Sequence, residues 1–273
     1  MSWAVVARKE LRDVRGSRRT RWLLGAVALL FVVGGYLLPI SGSPEPTSAD
    51  YASFMVSVVA LVVPLVGLLL GHRTIVGERA SGRLTLLLSL PYDRLDVVVG
   101  KFLARTAALG AAIAVGVVAG AALVNYPFGS FEAGTVGAFL LGTLLYGAAF
   151  VGVGLAVSTA TTSTAVASSA AFGVFVLFVA VWSQLRGVFL ALLDYLGLAD
   201  GTMPDWALFL YGAEPGMSYR RLVDGFFAGV ETGPYLGPEA PWYLGEWVAA
   251  ALLACWALGP VTLGYLRFRS TDL

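Results

Sequence analysis

Few side chains in this sequence are equipped for catalysis. Its 273 residues include a single histidine, His72, and a single cysteine, Cys255. Neither has a second residue of its type to complete a metal-ligand set, and no HExxH, CxxC or nucleophile-elbow spacing occurs. His72 reads as a polar anchor at a membrane edge, and Cys255, inside an apolar run, as a packing residue. Gly100-Lys101 is the nearest approach to a phosphate-binding loop. Phe102 follows where Ser or Thr is needed, and Leu95 stands where the first glycine should be. The chain is therefore expected to be no ATPase, with no catalytic residue, cofactor or metal of its own.

Polar chemistry is concentrated instead in Gly71–Lys101, GHRTIVGERASGRLTLLLSLPYDRLDVVVGK, a charged island between two apolar runs. Glu78 and Arg79 come first, and Gly82 breaks the helical continuation of the preceding run. Pro91 breaks the next segment, so Arg83–Leu90 has room for about two turns of helix with Leu84, Leu87 and Leu88 on one side. Such a short apolar helix needs either a protein groove or the membrane surface, and periodicity leaves both open. Asp93, with Asp96 three residues on, is placed to cap a helix feeding into the next apolar run. Glu78 also has a purely local reading, pairing with Arg79 or Arg83 at the surface.

The elements that must position this island are membrane helices. The chain is 58% hydrophobic and 13% charged, with a mean hydropathy of +0.80; a soluble domain carries about a quarter charged residues. An all-α polytopic membrane protein follows, and a net charge of +1 gives no case for nucleic-acid binding. Six runs can cross a hydrocarbon core of about 30 Å: 22–38, 52–70 (bent at Pro64), 102–124, 134–157, 165–182 and 242–266. Ahead of them, residues 1–21 place Trp3, Val6, Ala7, Leu11 and Val14 at helical spacing, with Arg8, Arg12, Arg15 and Arg19 on another face. That pattern predicts an interfacial helix, apolar side on the lipid and arginines toward phosphates. The n-region of a signal peptide is the alternative, opposed by its length and the lack of a small-residue cleavage site.

Fifteen Lys and Arg residues lie in the N-terminal arm, the island, the start of the third run and the tail. Three, Arg186, Arg220 and Arg221, lie in the opposite links with eleven acids. The positive-inside rule then places both termini and the island (71–101) in the cytoplasm, in a multi-pass cell-membrane protein. The 158–164 link, STATTST, offers a partner little grip. The 183–241 link is outside, and its pieces LRGVFLALLDYLGL and WALFLY are expected to form short amphipathic helices. Glycines at 116, 120, 142, 147, 152 and 154 permit close helix packing, equally within one subunit or between two. Sixteen of the eighteen basic residues are Arg, leaving Lys9 and Lys101 as the lysines. Ionisable residues in the spans are confined to Arg105, read as snorkelling to the inner surface, and the edge residue Glu246. No proton or sodium relay is visible, so energy for transport must come from another protein.

The order I-x-x-E-R-x-x-G-x-L-x-x-L-L-x-x-P-x-x-R, then Gly-Lys before the third span, resembles the permease subunits of ABC-2-type transporters. The N-terminal ARKELRD and RGSRRTRW segments and the Pro-then-aromatic stretch Leu210–Tyr219 resemble theirs too, so the likeness covers nearly the whole chain as a single permease domain (1–273). The nearest likeness is to the branch associated with multicopper-enzyme maturation. Arg83 stands where many members have Thr, and Glu214 replaces a more usual neutral residue. The resemblance implies a transmembrane subunit paired as a homodimer or heterodimer with a second permease. It also implies cytosolic ABC ATPase subunits that carry ATP and Mg, and export as the direction. Residues 78–90 would be the coupling helix: Glu78 and Arg79 for polar contacts, Gly82 and Pro91 for the turns, Leu84, Leu87 and Leu88 for the apolar anchor. A motor-independent carrier or channel, and a non-transporting assembly scaffold, are the competing classes. The substrate stays open.

Overall fold

A computed structural model describes residues 2–40, 46–89, 92–125, 130, 132–227 and 234–270. Pro91 and Leu90 of the island, and Glu45 and Glu231 of the outer acidic set, lie outside the described residues. The described residues are helical, without strands.

Helix α1 (Ser2–Gly16) leads into the first span, α2 (Arg18–Ile40), and α3 (Ser48–Gly71) is the second. Two short helices follow, α4 (Val76–Ala80) and α5 (Arg83–Leu88). The third and fourth spans are α6 (Arg94–Asn125) and α7 (Ala133–Ala160). The fifth runs through α8 (Thr164–Phe175), a π-helical segment (Val176–Val181) and α9 (Trp182–Tyr195). Helices α10 (Asp205–Gly212) and α11 (Pro215–Phe227) precede a short 3-10 turn and the last span, α12 (Glu246–Arg269). These are six helices long and apolar enough to cross a membrane.

Several helices outrun their apolar runs. Span three starts at Arg94, eight residues before the hydrophobic stretch, and the Asp93 N–H donates to Asp96 Oδ2 at 3.3 Å, as the capping pattern predicts. Span five departs further from expectation. The LRGVFLALLDYLGL piece, expected as a separate helix of the outer link, continues span five as α9 to Tyr195. Gly187 is carried inside the helix, which ends only ahead of Gly197, where φ is 68°. The WALFLY piece does form its own short helix, within α10.

α7 is the most enclosed span and the fifth the least. Glycines of the expected packing pattern bring helices together inside this chain. A Cβ on Gly120 would run into Phe31 O on α2, and one on Gly152 would lie 2.7 Å from Ala257 O on α12. Backbone contact at that range is open only to glycine. The Tyr51 hydroxyl, buried beside Gly120, donates to Phe31 O at 3.0 Å. Helix α11 turns back into the bundle: Tyr219 is buried, stacks on Tyr146 of α7 with centroids 4.5 Å apart, and hydrogen-bonds Thr143 through its hydroxyl (3.0 Å). Arg221 secures this return by donating to the carbonyls of Gly212, Leu244 and Gly245.

Candidate functional site

The island folds as an elbow. His72 ends α3, its Nδ1 3.0 Å from Leu68 O, and the chain turns into α4. The N–H groups of Ile75 and Val76, exposed by that turn, both donate to Ser158 Oγ of α7 (2.9 and 3.0 Å). A helix start leaves its first N–H groups without intrahelical partners, and a buried hydroxyl from another helix satisfies two of them here. Helix α7 thus extends through Ser158, which was expected in the link. Between α4 and α5, Gly82 takes φ 73°, the left-handed conformation that bends the chain where a side chain would be strained.

Around this elbow lies a charge cluster drawn from three helices. Lys101 of α6 is 1% exposed, and its Nζ lies 2.8 Å from both Glu10 Oε1 of α1 and Glu78 Oε1 of α4. Arg105, one turn along α6, donates to Glu10 Oε2 at 3.0 Å. Lys9 reaches Glu10 (3.2 Å), Asp13 (3.2 Å) and Glu78 (3.6 Å). Burial by itself would raise the Glu10 carboxyl, but Lys101, Arg105 and Lys9 outweigh it and hold the group down at about 2. Two carboxylates and a buried ammonium therefore tie α1, α4 and α6 into one unit. Unpaired, any of these charges would cost several kcal/mol in such surroundings.

A second clasp holds α12. Phe268 is fully buried, and the guanidinium groups of Arg79 and Arg94 stand over its ring, 5.9 and 5.2 Å from the centroid. Arg94 also donates to Phe268 O and Arg269 O, the last carbonyls of α12, where a cation suits the helix dipole. α1, α4, α5, the start of α6 and the end of α12 thus meet at one end of the bundle.

The structure places the expected site residues unevenly. Glu78 pairs with Lys101 and Lys9 rather than with Arg79 or Arg83. Arg79 is half-buried against Phe268, and Leu84 is 1% exposed, packed in this chain's own core. Leu87 is half-buried, Leu88 lies in α5 with its side chain outside the described set, and Arg83, Thr85 and Leu86 face outward. In α1, Arg8, Arg12, Arg15 and Arg19 are exposed and Trp3 is half-buried. The apolar stripe of α1, expected on lipid, packs on α6 instead. Val6 and Val14 are buried there, and a Cβ on Gly100 would sit 2.8 Å from Val6 Cβ and 2.9 Å from Trp3 O. Arg105 does not snorkel; it is bound to Glu10. Sequence reasoning missed Glu10, Lys101 and Ser158. The sequence signal for Lys101 was only its type, one of two lysines in an arginine-rich chain; the structure brings both to Glu78. Among the described residues no three His, Cys, Asp or Glu side chains gather as a metal site.

Six apolar helices clasped at one end around a short two-helix elbow define a polytopic membrane protein. The family model described as ABC-2 family transporter protein matches residues 4–273, and the chain belongs to that family. It is similar to two proteins named probable ABC transporter permease protein NosY. The Pseudomonas aeruginosa relative is 31% identical over 281 residues, covering 97% of this chain and 96% of the relative. The Stutzerimonas stutzeri relative is 30% identical over 274 residues, covering 93% and 96%. The chain is accordingly a multi-pass transmembrane component of an ABC transporter.

Proposed function

We propose that this permease works as an exporter driven by cytosolic ATPase subunits that dock on the α4–α5 elbow. The observation that carries the reading is the Lys101 cluster: Glu78, on the elbow, shares one buried ammonium with Glu10 of α1. A displacement of α4 is therefore passed to α1 and α6, and through Arg79 and Arg94 to the end of α12. A solvent-exposed pair would yield under such a push; a buried network moves as a body. Fifteen basic residues at this end against three at the other support a cytoplasmic elbow and cytoplasmic termini. ATP and Mg belong to the partner ATPase. Two permease copies, or this chain and a paralogue, complete the transporter. Placement in the multicopper-enzyme-maturation branch belongs to the same proposal, supported by the NosY relatives.

The outward side of α5 is the docking face in this reading, and Leu84 holds that helix on the bundle. Capture of a co-expressed P-loop ATPase by the tagged permease tests it. Arg83→Glu with Leu86→Asp should abolish capture, whereas Lys101→Met should keep capture and lose ATP-driven transport. Leu84→Asp would bury a carboxylate and report on folding instead. Capture unchanged by the α5 pair, or transport by the reconstituted permease alone on an ion gradient, sinks the proposal.

A further inference from the structure

At the opposite end of the bundle, Glu214 joins α10 to α11 and is 4% exposed. Its two oxygens each accept one backbone N–H, from Gly216 and Met217, both at 2.7 Å. A carboxylate has further lone pairs to offer, and no ion pair reaches Glu214 among the described residues. The group lines a cavity of about 300 Å³ bounded by Ser57 of α3, Tyr146 of α7, Phe178 and Trp182 of span five, and Arg220 of α11. The π-helical segment contributes Phe178, whose ring centroid lies 5.7 Å from that of Trp182. Widened turns of this kind inside α-helices are frequent at functional sites.

We propose that this cavity binds a small organic ammonium cation, with Glu214 as its counter-charge and the Tyr146, Phe178 and Trp182 rings as its wall. A buried anion compensated by backbone donors alone attracts a cation, and aromatic faces favour one with a large, weakly hydrated surface. Arg220 stands at the rim but is exposed, so solvent screens its charge. Burial pushes the Glu214 carboxyl up to about 7 despite the two N–H donors and Arg220. Proton and ammonium therefore compete for it near neutral pH. Other titratable groups around Glu214 are Tyr146 from α7, Tyr219 and Arg220 from α11, and Tyr211 from α10, on which Arg186 of span five also acts; α3 and the rest of the span-five wall present hydroxyls and rings. The binding reading stands apart from ATPase docking, since it needs the permease alone.

The test is titration of choline into the full chain in phosphatidylglycerol nanodiscs. Choline should bind about tenfold tighter at pH 8 than at pH 6, following ionisation of a carboxyl near 7. The uncharged isostere 3,3-dimethylbutan-1-ol should bind about tenfold more weakly than choline at pH 8 and show no pH dependence. Glu214→Gln should bring choline binding to the level of the isostere. If phosphatidylcholine in the disc competes, the ammonium is a lipid headgroup; if it does not, the ligand is a soluble cation. Choline binding that matches the isostere, that is unchanged between pH 6 and 8, or that is absent overturns the proposal. None of those three outcomes depends on the variant folding.

Discussion

Lys101 shows how a single side chain can hold several helices. Its ammonium is compact enough to approach Glu10 and Glu78 together at 2.8 Å, where a planar guanidinium would favour one bidentate partner. Lys101→Met removes that charge and leaves two carboxylates facing each other, with Lys9 and Arg105 to hold them. We expect a loss of about 3–5 kcal/mol, read as a lower melting temperature in detergent, and a smaller loss for Lys101→Arg. Because the folded-state Glu10 carboxyl is held at about 2, below its usual 4.5, the contribution of Glu10 is complete above about 4.5. It is lost as pH falls through about 2, so the gap between wild type and Lys101→Met should close in that acid range. The cluster was only partly legible beforehand: the types and positions of Glu10, Glu78 and Lys101 are plain in the chain, but their meeting spans about ninety residues of sequence.

At the scale of elements, the elbow depends on partners borrowed from elsewhere. A five-residue helix such as α4 has no stability of its own, since nucleation costs more than so few hydrogen bonds return. Ser158 supplies the missing acceptor at its start. Ser158→Ala should cost about 1–2 kcal/mol and speed hydrogen exchange in the 75–88 amides before it affects the spans. Equal protection in wild type and variant would refute this role. The elbow's breaks were readable from Gly82, whose φ of 73° needs no tertiary partner. Its cap was not, because a serine after a long apolar run looks like the start of a turn. Span five misled in a similar way: apolarity falls off after Trp182, while the helix carries Gly187 in its interior and persists to Tyr195.

For the whole molecule, packing gathers the basic segments at one end, and the proposed cytoplasmic placement of that end is open to a direct test. On a Cys255→Ser background, Ser81→Cys, exposed in the elbow, should react with an impermeant thiol reagent only after the membrane is opened. Thr202→Cys, exposed between α9 and α10, should react in intact cells. The reverse pattern would invert the topology and remove the elbow from any cytosolic partner. Gly120→Leu should block assembly of the α2–α6 pair, since its Cβ alone would run into Phe31 O.

The sequence by itself determined an all-α protein with six apolar spans and a polar island between the second and the third. Those properties rest on local physics: transfer of apolar runs into lipid and the breaking of helices by Gly82. Tertiary structure decided what the island's residues do. It turned Leu84 inward, moved the apolar stripe of α1 from lipid onto α6, joined Glu78 to Lys101, and buried Glu214 beside an aromatic cavity. Each outcome depends on which distant helix supplies the opposite charge or the covering surface, and a one-dimensional pattern of types and spacings does not carry that information.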